Sequence, residues 1–214
     1  MANSDAPFGF RPVKHRNGAP YNGSCEPMYI ASSYNSGGMY IGDLIVKVSS
    51  GSNTSKVNVP SVGSFPPGTL PQIQLAAVTD GTYASGVIVG FAANPDNLSQ
   101  QYNPTSTERV ALVCTDPDVI YEIQADGDLT ETMIGLNATF IRTASGSTYT
   151  GLSGEELDTG TTTAPAANAS LPLRIVGMVN RDDNDTESAN QKALVAINMH
   201  SDLSTGDGDG ALGI

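Results

Sequence analysis

Three carboxylates lie close together near the middle of the sequence, at Asp116, Asp118 and Glu122. Paired carboxylates can serve as the acid and the base of glycoside hydrolysis. Asp116 and Asp118 flank a proline, however, and aspartate beside proline is typical of a tight turn. Glu122 falls on an even position of a strand, where we expect it to face outwards. These residues are better explained as turn and surface groups than as a catalytic pair.

The residue types that most often bind metal ions are few and widely separated. His15 and His200 are the only histidines, and neither an HxxxH nor a paired CxxC spacing occurs. The acidic runs 182–187 and 207–209 lack the glycine and glutamate positions of an EF-hand loop. The glycine motifs that bind phosphate are also absent. The sequence therefore predicts no catalytic residue, no metal site and no cofactor.

The two cysteines, Cys25 and Cys114, are too few for a disulfide framework. We expect both thiols to be buried and free, because the first residues lack the apolar run of a signal peptide. One disulfide between them is the alternative. No stretch approaches the ~18 apolar residues of a membrane helix. These features predict a protein made in a reducing cytoplasm.

Acidic residues outnumber basic ones by 22 to 10, which gives a formal net charge of -12. An acidic surface repels nucleic acid and anionic membranes, so neither is an expected partner. The positive charge is concentrated near the amino terminus, at Arg11, Lys14 and Arg16. We therefore expect the amino-terminal part to be locally positive on an otherwise acidic protein.

The elements that must position these residues are short strands. The chain has 23 glycines and 13 prolines and is rich in Val, Ile and Thr, a composition that favours strands joined by turns. The most regular part is 86–126, where the runs 109–115 and 119–125 are predicted to form a hairpin across an Asp-Pro-Asp turn. Nine strand-like runs are predicted in all: 28–30, 39–48, 70–79, 86–92, 109–115, 119–125, 133–142, 171–180 and 193–199.

These runs predict an all-β fold, an antiparallel β-sandwich or barrel of jelly-roll type with an extended amino-terminal arm. The prolines spread over residues 1–27 indicate an extended Pro-rich arm. Residues 28–201 are predicted to form a single β domain with long loops, and residues 202–214 a flexible Gly/Asp tail. The aromatic side chains of the arm must pack on the domain, on a neighbouring copy or on another protein: Phe8, Phe10 and Tyr21.

Several segments in order along the chain resemble the decoration (cement) proteins of tailed-bacteriophage heads. The resemblance extends from about Ala6 to His200, whereas residues 57–85 and the carboxy-terminal tail match nothing in that family. It rests on the following segments: APFGFRPVKHRNGAPYNG, GDLIVKV, GVIVGF, CTDPDVIYEIQAD, RIVGMVNRDDND and VAINMH.

The resemblance implies a non-enzymatic virion protein, made in the host bacterial cytoplasm, that binds the outer surface of the capsid and stabilises the shell. Its expected partners are the major capsid protein and further copies of itself, as a homodimer or homotrimer. We place the capsid-binding hypothesis on the amino-terminal arm, where aromatic side chains would fill pockets and basic ones would meet acidic capsid groups. The candidate residues are Phe8, Phe10, Arg11, Lys14, Arg16 and Tyr21.

Two other functions stay open at the level of sequence. A carbohydrate- or host-binding β-sandwich module on a phage tail or cell surface would use the loops 94–107 and 145–169 as its binding edge. A hydrolase would act through Glu122 or Glu155.

Overall fold

The computed structural model describes residues 3–35, 37–59, 62–186 and 188–203, and nearly all of the regular structure in them is β. Short runs of β-branched and aromatic residues form the strands, and they end at Gly, Pro, Asp or Asn, as expected for these residue types. Two single-turn 3-10 helices lie at Ser32–Tyr34 and Glu131–Met133. The strands are β1 (Arg11–His15), β2 (Glu26–Ile30), β3 (Leu44–Ser52), β4 (Val57–Val59), β5 (Gly63–Phe65), β6 (Pro71–Leu75), β7 (Gly86–Phe91), β8 (Arg109–Cys114), β9 (Val119–Gln124), β10 (Asn137–Ala138), β11 (Phe140–Ile141), β12 (Glu156–Leu157), β13 (Leu173–Met178) and β14 (Lys192–Ile197).

The strands form two principal sheets. One is an antiparallel sheet of five strands in the order β1-β9-β14-β13-β10. The other is a small closed barrel in the order β2-β6-β3-β7-β8, in which only the β2–β6 pair is parallel. The all-β prediction is confirmed by this architecture. The jelly-roll detail is not confirmed, because the strand order is that of a barrel beside an open sheet.

All nine predicted runs contain strand, although the boundaries differ by several residues. The run 133–142 divides into the end of a 3-10 helix and the two short strands β10 and β11. Four short strands lie outside the predicted runs: β1, β4, β5 and β12. Among the described residues no helix is long and apolar enough to cross a membrane.

The predicted hairpin between β8 and β9 is wrong. The Asp-Pro-Asp segment does form a turn, in which the backbone N–H of Asp118 donates to the Asp116 carboxylate at 2.8 Å. The two strands then separate, because β8 pairs with β2 and β7 in the barrel whereas β9 pairs with β1 and β14 in the sheet. The turn therefore connects the two sheets.

The largest core cluster lies between the sheet and the barrel. It joins Val119, Tyr121 and Ile123 of β9 to residues of β3 and β7, and it includes Phe10. All six residues of β9 are buried, so this strand is covered on both faces. A second cluster fills the barrel, and a third lies beneath the β4–β5 hairpin.

The amino-terminal segment packs on its own domain, which corrects the prediction of an extended arm without strands. Its β1 is hydrogen-bonded along β9, from Arg11 opposite Glu122 to His15 opposite Val119. Further towards the terminus, the Ala6 N–H donates to the Gln124 side chain at 2.9 Å. Residues 3–15 therefore form part of the folded unit.

A candidate partner-binding groove beside the amino-terminal segment

An apolar groove of about 430 Å³ lies between the amino-terminal segment and the outside of the barrel. Its first wall is formed by side chains of the segment, its floor by side chains of β7 and β8, and its second wall by residues that precede β3 and β12. The first wall is lined by Phe8, Pro12 and Tyr21, the floor by Val89 and Leu112, and the second wall by Ile41 and Leu152.

The first wall is anchored by Phe10, whose ring is only 2 % exposed. That ring makes edge-to-face contacts with Tyr121 and Phe140, at centroid distances of 6.3 and 6.0 Å. Such pairs stabilise by about 0.5–1.5 kcal/mol beyond the burial of their area. Phe10 is therefore part of the chain's own core, which corrects the expectation that it fills a pocket on a partner.

A close approach of two backbones fixes where the first wall begins. The Phe10 N–H donates to the Gly42 carbonyl at 2.8 Å. Gly9 and Gly42 both have positive φ, of 69° and 96°. A Cβ on Gly42 would lie 2.7 Å from the Phe8 carbonyl oxygen, so only glycine fits there. This contact holds residues 8–10 against the loop before β3.

Tyr21 closes one end of the groove and is fixed by two hydrogen bonds. Its hydroxyl donates to the Ser24 carbonyl at 2.6 Å, and its N–H donates to the Val13 carbonyl at 3.1 Å. Burial, together with the nearby Cys114 thiol, raises the pKa of Tyr21 well above its usual value. The phenol therefore stays neutral and acts as an oriented wall residue.

Arg11 is an exposed cation at the rim of the groove. Its guanidinium carbon lies 4.4 Å above the centre of the Phe8 ring, a cation–π contact that holds both side chains in place. Lys14 and Arg16 lie further along β1 and in the turn that follows it, outside the groove lining. The structure thus brings four of the six predicted residues to the groove: Phe8, Phe10, Arg11 and Tyr21.

The two thiols differ in exposure, which corrects the expectation that both are buried. Cys25 is exposed and borders the groove, whereas Cys114 is buried in the core, and both are free. Burial raises the pKa of the Cys114 thiol. Cys25 is therefore a natural probe of whether the groove is covered.

A buried ionic cluster supports the loop that forms the second wall. Glu155 is fully buried and accepts hydrogen bonds from the Arg142 guanidinium and from the Leu44 N–H, the latter at 2.9 Å. Asp43 lies beside it and accepts from the Tyr40 N–H at 2.7 Å. Burial raises the pKa of Asp43 to about 6 and that of Glu155 to about 8.

Asp43 and Glu155 titrate as one coupled pair, and burial raises the pKa of Glu155 further than that of Asp43, although the charged form of Glu155 has the better hydrogen bonds. Both oxygens of Glu155 face donors, whereas Oδ1 of Asp43 is buried without a partner among the described residues. Two carboxylates facing one guanidinium share the titration, so their pKa values belong to the pair. Since Glu155 has no exposed surface, the cluster is a structural element and has no path to a substrate in this conformation.

Glu122 is also buried, which corrects the expectation that it faces solvent. Both of its carboxylate oxygens accept from the Arg181 guanidinium, at 2.7 and 3.0 Å. Asp183 bridges the same arginine to Lys192, and these bonds hold the pKa of Asp183 well below its usual range. The acidic run around residue 183 is therefore a partly ion-paired loop.

The remaining chemistry-bearing residues do not converge. His15 lies 3.3 Å from the Asp116 carboxylate on the surface, whereas His200 is buried at the end of β14, where its Nδ1 accepts from the Asp202 N–H. Within the described ranges no three His, Cys, Asp or Glu side chains are grouped to hold a metal ion. The run 207–209 lies outside the described residues.

The two long loops that the sequence suggested as a binding edge lie next to each other. A Cβ on Gly151 would lie 2.5 Å from that of Gln101. Tyr40, which belongs to neither loop, lies against both: its ring stacks on that of Tyr102 at 5.3 Å, and a Cβ on Gly146 would lie 2.6 Å from it. At the surface of these loops Tyr149 is 94 % and Leu98 is 79 % exposed. This edge is the second surface at which apolar side chains are offered to solvent.

Comparisons with known proteins give no match to a family model, to a curated protein or to a solved structure.

Proposed function

We propose that this chain is a structural virion protein that binds the outer surface of a tailed-phage capsid and stabilises the shell by bridging capsid subunits. The observation that carries the proposal is the groove, an apolar depression with walls fixed by the core and an exposed arginine at its rim. Apolar surface left open on an otherwise acidic protein favours a protein partner. The resemblance of segments along the chain to decoration proteins supplies the class of partner.

The proposed mechanism is adhesion through area. Each square ångström of apolar surface removed from water contributes ~25 cal/mol, and a stable contact buries roughly 1,600 Å² in total. When one copy contacts two neighbouring capsid subunits, separating those subunits exposes the buried apolar surface to water again. The separation therefore costs more free energy than it would without the bound copy. Many copies on one closed shell, each a homodimer or homotrimer, would add their contributions.

Alkylation of the two native thiols tests whether a capsid covers the groove. The free protein and purified heads that carry it are treated with the same thiol reagent, and modification is followed by mass spectrometry. We expect rapid modification of Cys25 in the free protein and at least tenfold slower modification on heads. Cys114 is the internal control, because it is buried within the chain itself.

Equal rates at Cys25 on heads and in solution would show that the groove is not covered. Heads that retain no copies of the protein after washing would reject the proposal as a whole.

A carbohydrate- or host-binding module is the second candidate, and the contact between the loops 94–107 and 145–169 favours it. Exposed aromatic rings such as Tyr149 are suited to stacking on sugars or on apolar protein groups. Binding of the isolated protein to a glycan array, lost in Tyr149→Ala but kept in Tyr34→Ala, would support this function. Tyr34 is the control because it is also exposed and lies outside these loops.

A further inference from the structure

The groove beside β1 carries an unbalanced positive charge. Four cations of the described residues pair with carboxylates, namely Lys47, Arg142, Arg181 and Lys192. Arg109 and Arg16 donate to backbone carbonyls, which carry no charge to neutralise them. In the same described ranges Arg11, Lys14 and Arg16 form no ion pair with a carboxylate. On a chain of net charge -12, one short segment thus carries three cations that no carboxylate of the described residues neutralises.

The position of Arg11 relates this charge to the groove. Its guanidinium is held over the Phe8 ring at the rim, so it is oriented before any partner arrives. The acid opposite Arg11 on β9, Glu122, already pairs with Arg181. A carboxylate of a partner would therefore meet the planar guanidinium of Arg11 next to an apolar surface. Arginine can bind a carboxylate there through two parallel hydrogen bonds.

We infer that the groove binds a short acidic segment of the capsid protein, in which an apolar side chain enters the groove beside a carboxylate that pairs with Arg11. The inference rests on the proposed function and names the chemistry of its partner. The apolar contact supplies most of the affinity, whereas the charge selects the segment and accelerates encounter. The acidic remainder of this protein repels the same segment elsewhere, so binding is directed to β1.

Synthetic peptides test the chemistry without the capsid. The probe is an acetylated, amidated Gly-Leu-Asp-Leu-Asp-Gly peptide, compared with the same peptide carrying Asn or Lys in place of Asp. Amide shifts of the ¹⁵N-labelled full chain report binding and location. We expect shifts around Phe8 and Tyr21, with the Asn peptide roughly tenfold weaker and the Lys peptide weaker still.

Two charge reversals complete the test. Arg11→Glu should weaken binding of the Asp peptide at least tenfold, and Arg11→Gln should weaken it by a smaller factor. Lys56→Glu is the matched control, because Lys56 is an exposed cation that does not line the groove, and this variant should bind the peptide as the wild type does. Circular dichroism of each variant verifies the fold.

The results separate this inference from the proposed function. Equal binding of the Asp and Asn peptides, or no binding of either, would overturn the inference. Self-association of the wild-type protein that Arg11→Glu abolishes would also overturn the inference, because a second copy would then be the occupant of the groove. A third outcome is that Cys25 is protected on heads while the Arg11→Glu variant binds heads in the same number of copies as the wild type. This outcome would support the capsid function and refute the acidic segment as the occupant of the groove.

Discussion

The buried pair of Asp43 and Glu155 makes stability fall as the pH rises. Both carboxyls have a higher pKa when folded than when unfolded, so the folded state binds protons at this pair more tightly. Stability from this source is complete below the unfolded pKa values and is lost as the pH passes the folded ones, between about pH 4 and pH 8. Asp43→Asn removes one of the two negative charges while keeping the size of the side chain.

The magnitude follows from the two shifts. At 1.36 kcal/mol per pKa unit, the rise to about 6 corresponds to about 3 kcal/mol and the rise to about 8 to about 5 kcal/mol. Because the charge of Asp43 accounts for part of the rise at Glu155, the two shifts are not added, and the pair contributes a loss of about 3–5 kcal/mol. The variant has a single carboxylate facing Arg142, so it should lose less than half as much.

Urea unfolding between pH 5 and pH 9 measures this difference. Glu156, whose pKa burial raises to about 7, adds the same slope to both proteins and cancels. We expect Asp43→Asn to be the more stable protein at pH 9, with the gap closing towards pH 5. Asp96→Asn, at an exposed carboxylate, is the control. Parallel curves for wild type and Asp43→Asn would refute the coupling of the two carboxyls.

Two further predictions concern the first wall of the groove. Phe10→Ala should lower the free energy of unfolding by about 3–5 kcal/mol, whereas Val13→Ala, at a partly exposed position, should change it by less than about 1 kcal/mol, both measured by urea unfolding. Gly42→Ala should displace residues 8–10, because its Cβ has no room beside the Phe8 carbonyl, and we expect a melting temperature lower by several degrees. An unchanged melting temperature would show that this backbone contact is dispensable.

Local patterns predicted where strands form, but partner choice depends on tertiary packing. The β8 and β9 runs were found from their β-branched residues and the turn between them, and only the pairing was wrong. A strand that is covered on both faces does not alternate between buried and exposed positions. In β9, Glu122 is buried by its ion pair with Arg181, which lies 59 residues away in the sequence. No local signal marks such a partner. For the same reason β1 was missed, because its Pro and basic residues become a strand only against β9.

The candidate site could be predicted in part, because exposed aromatic side chains must be buried against some other surface. A segment with Phe8, Phe10 and Tyr21 but little apolar sequence around them must bury those rings on something else. The structure satisfies that requirement for Phe10 within the core, and only incompletely for Phe8 and Tyr21, which remain partly exposed along the groove. What is left uncovered after folding is the surface available to a partner. The binding proposal therefore rests on Phe8, Tyr21 and Arg11, and it no longer needs a free arm.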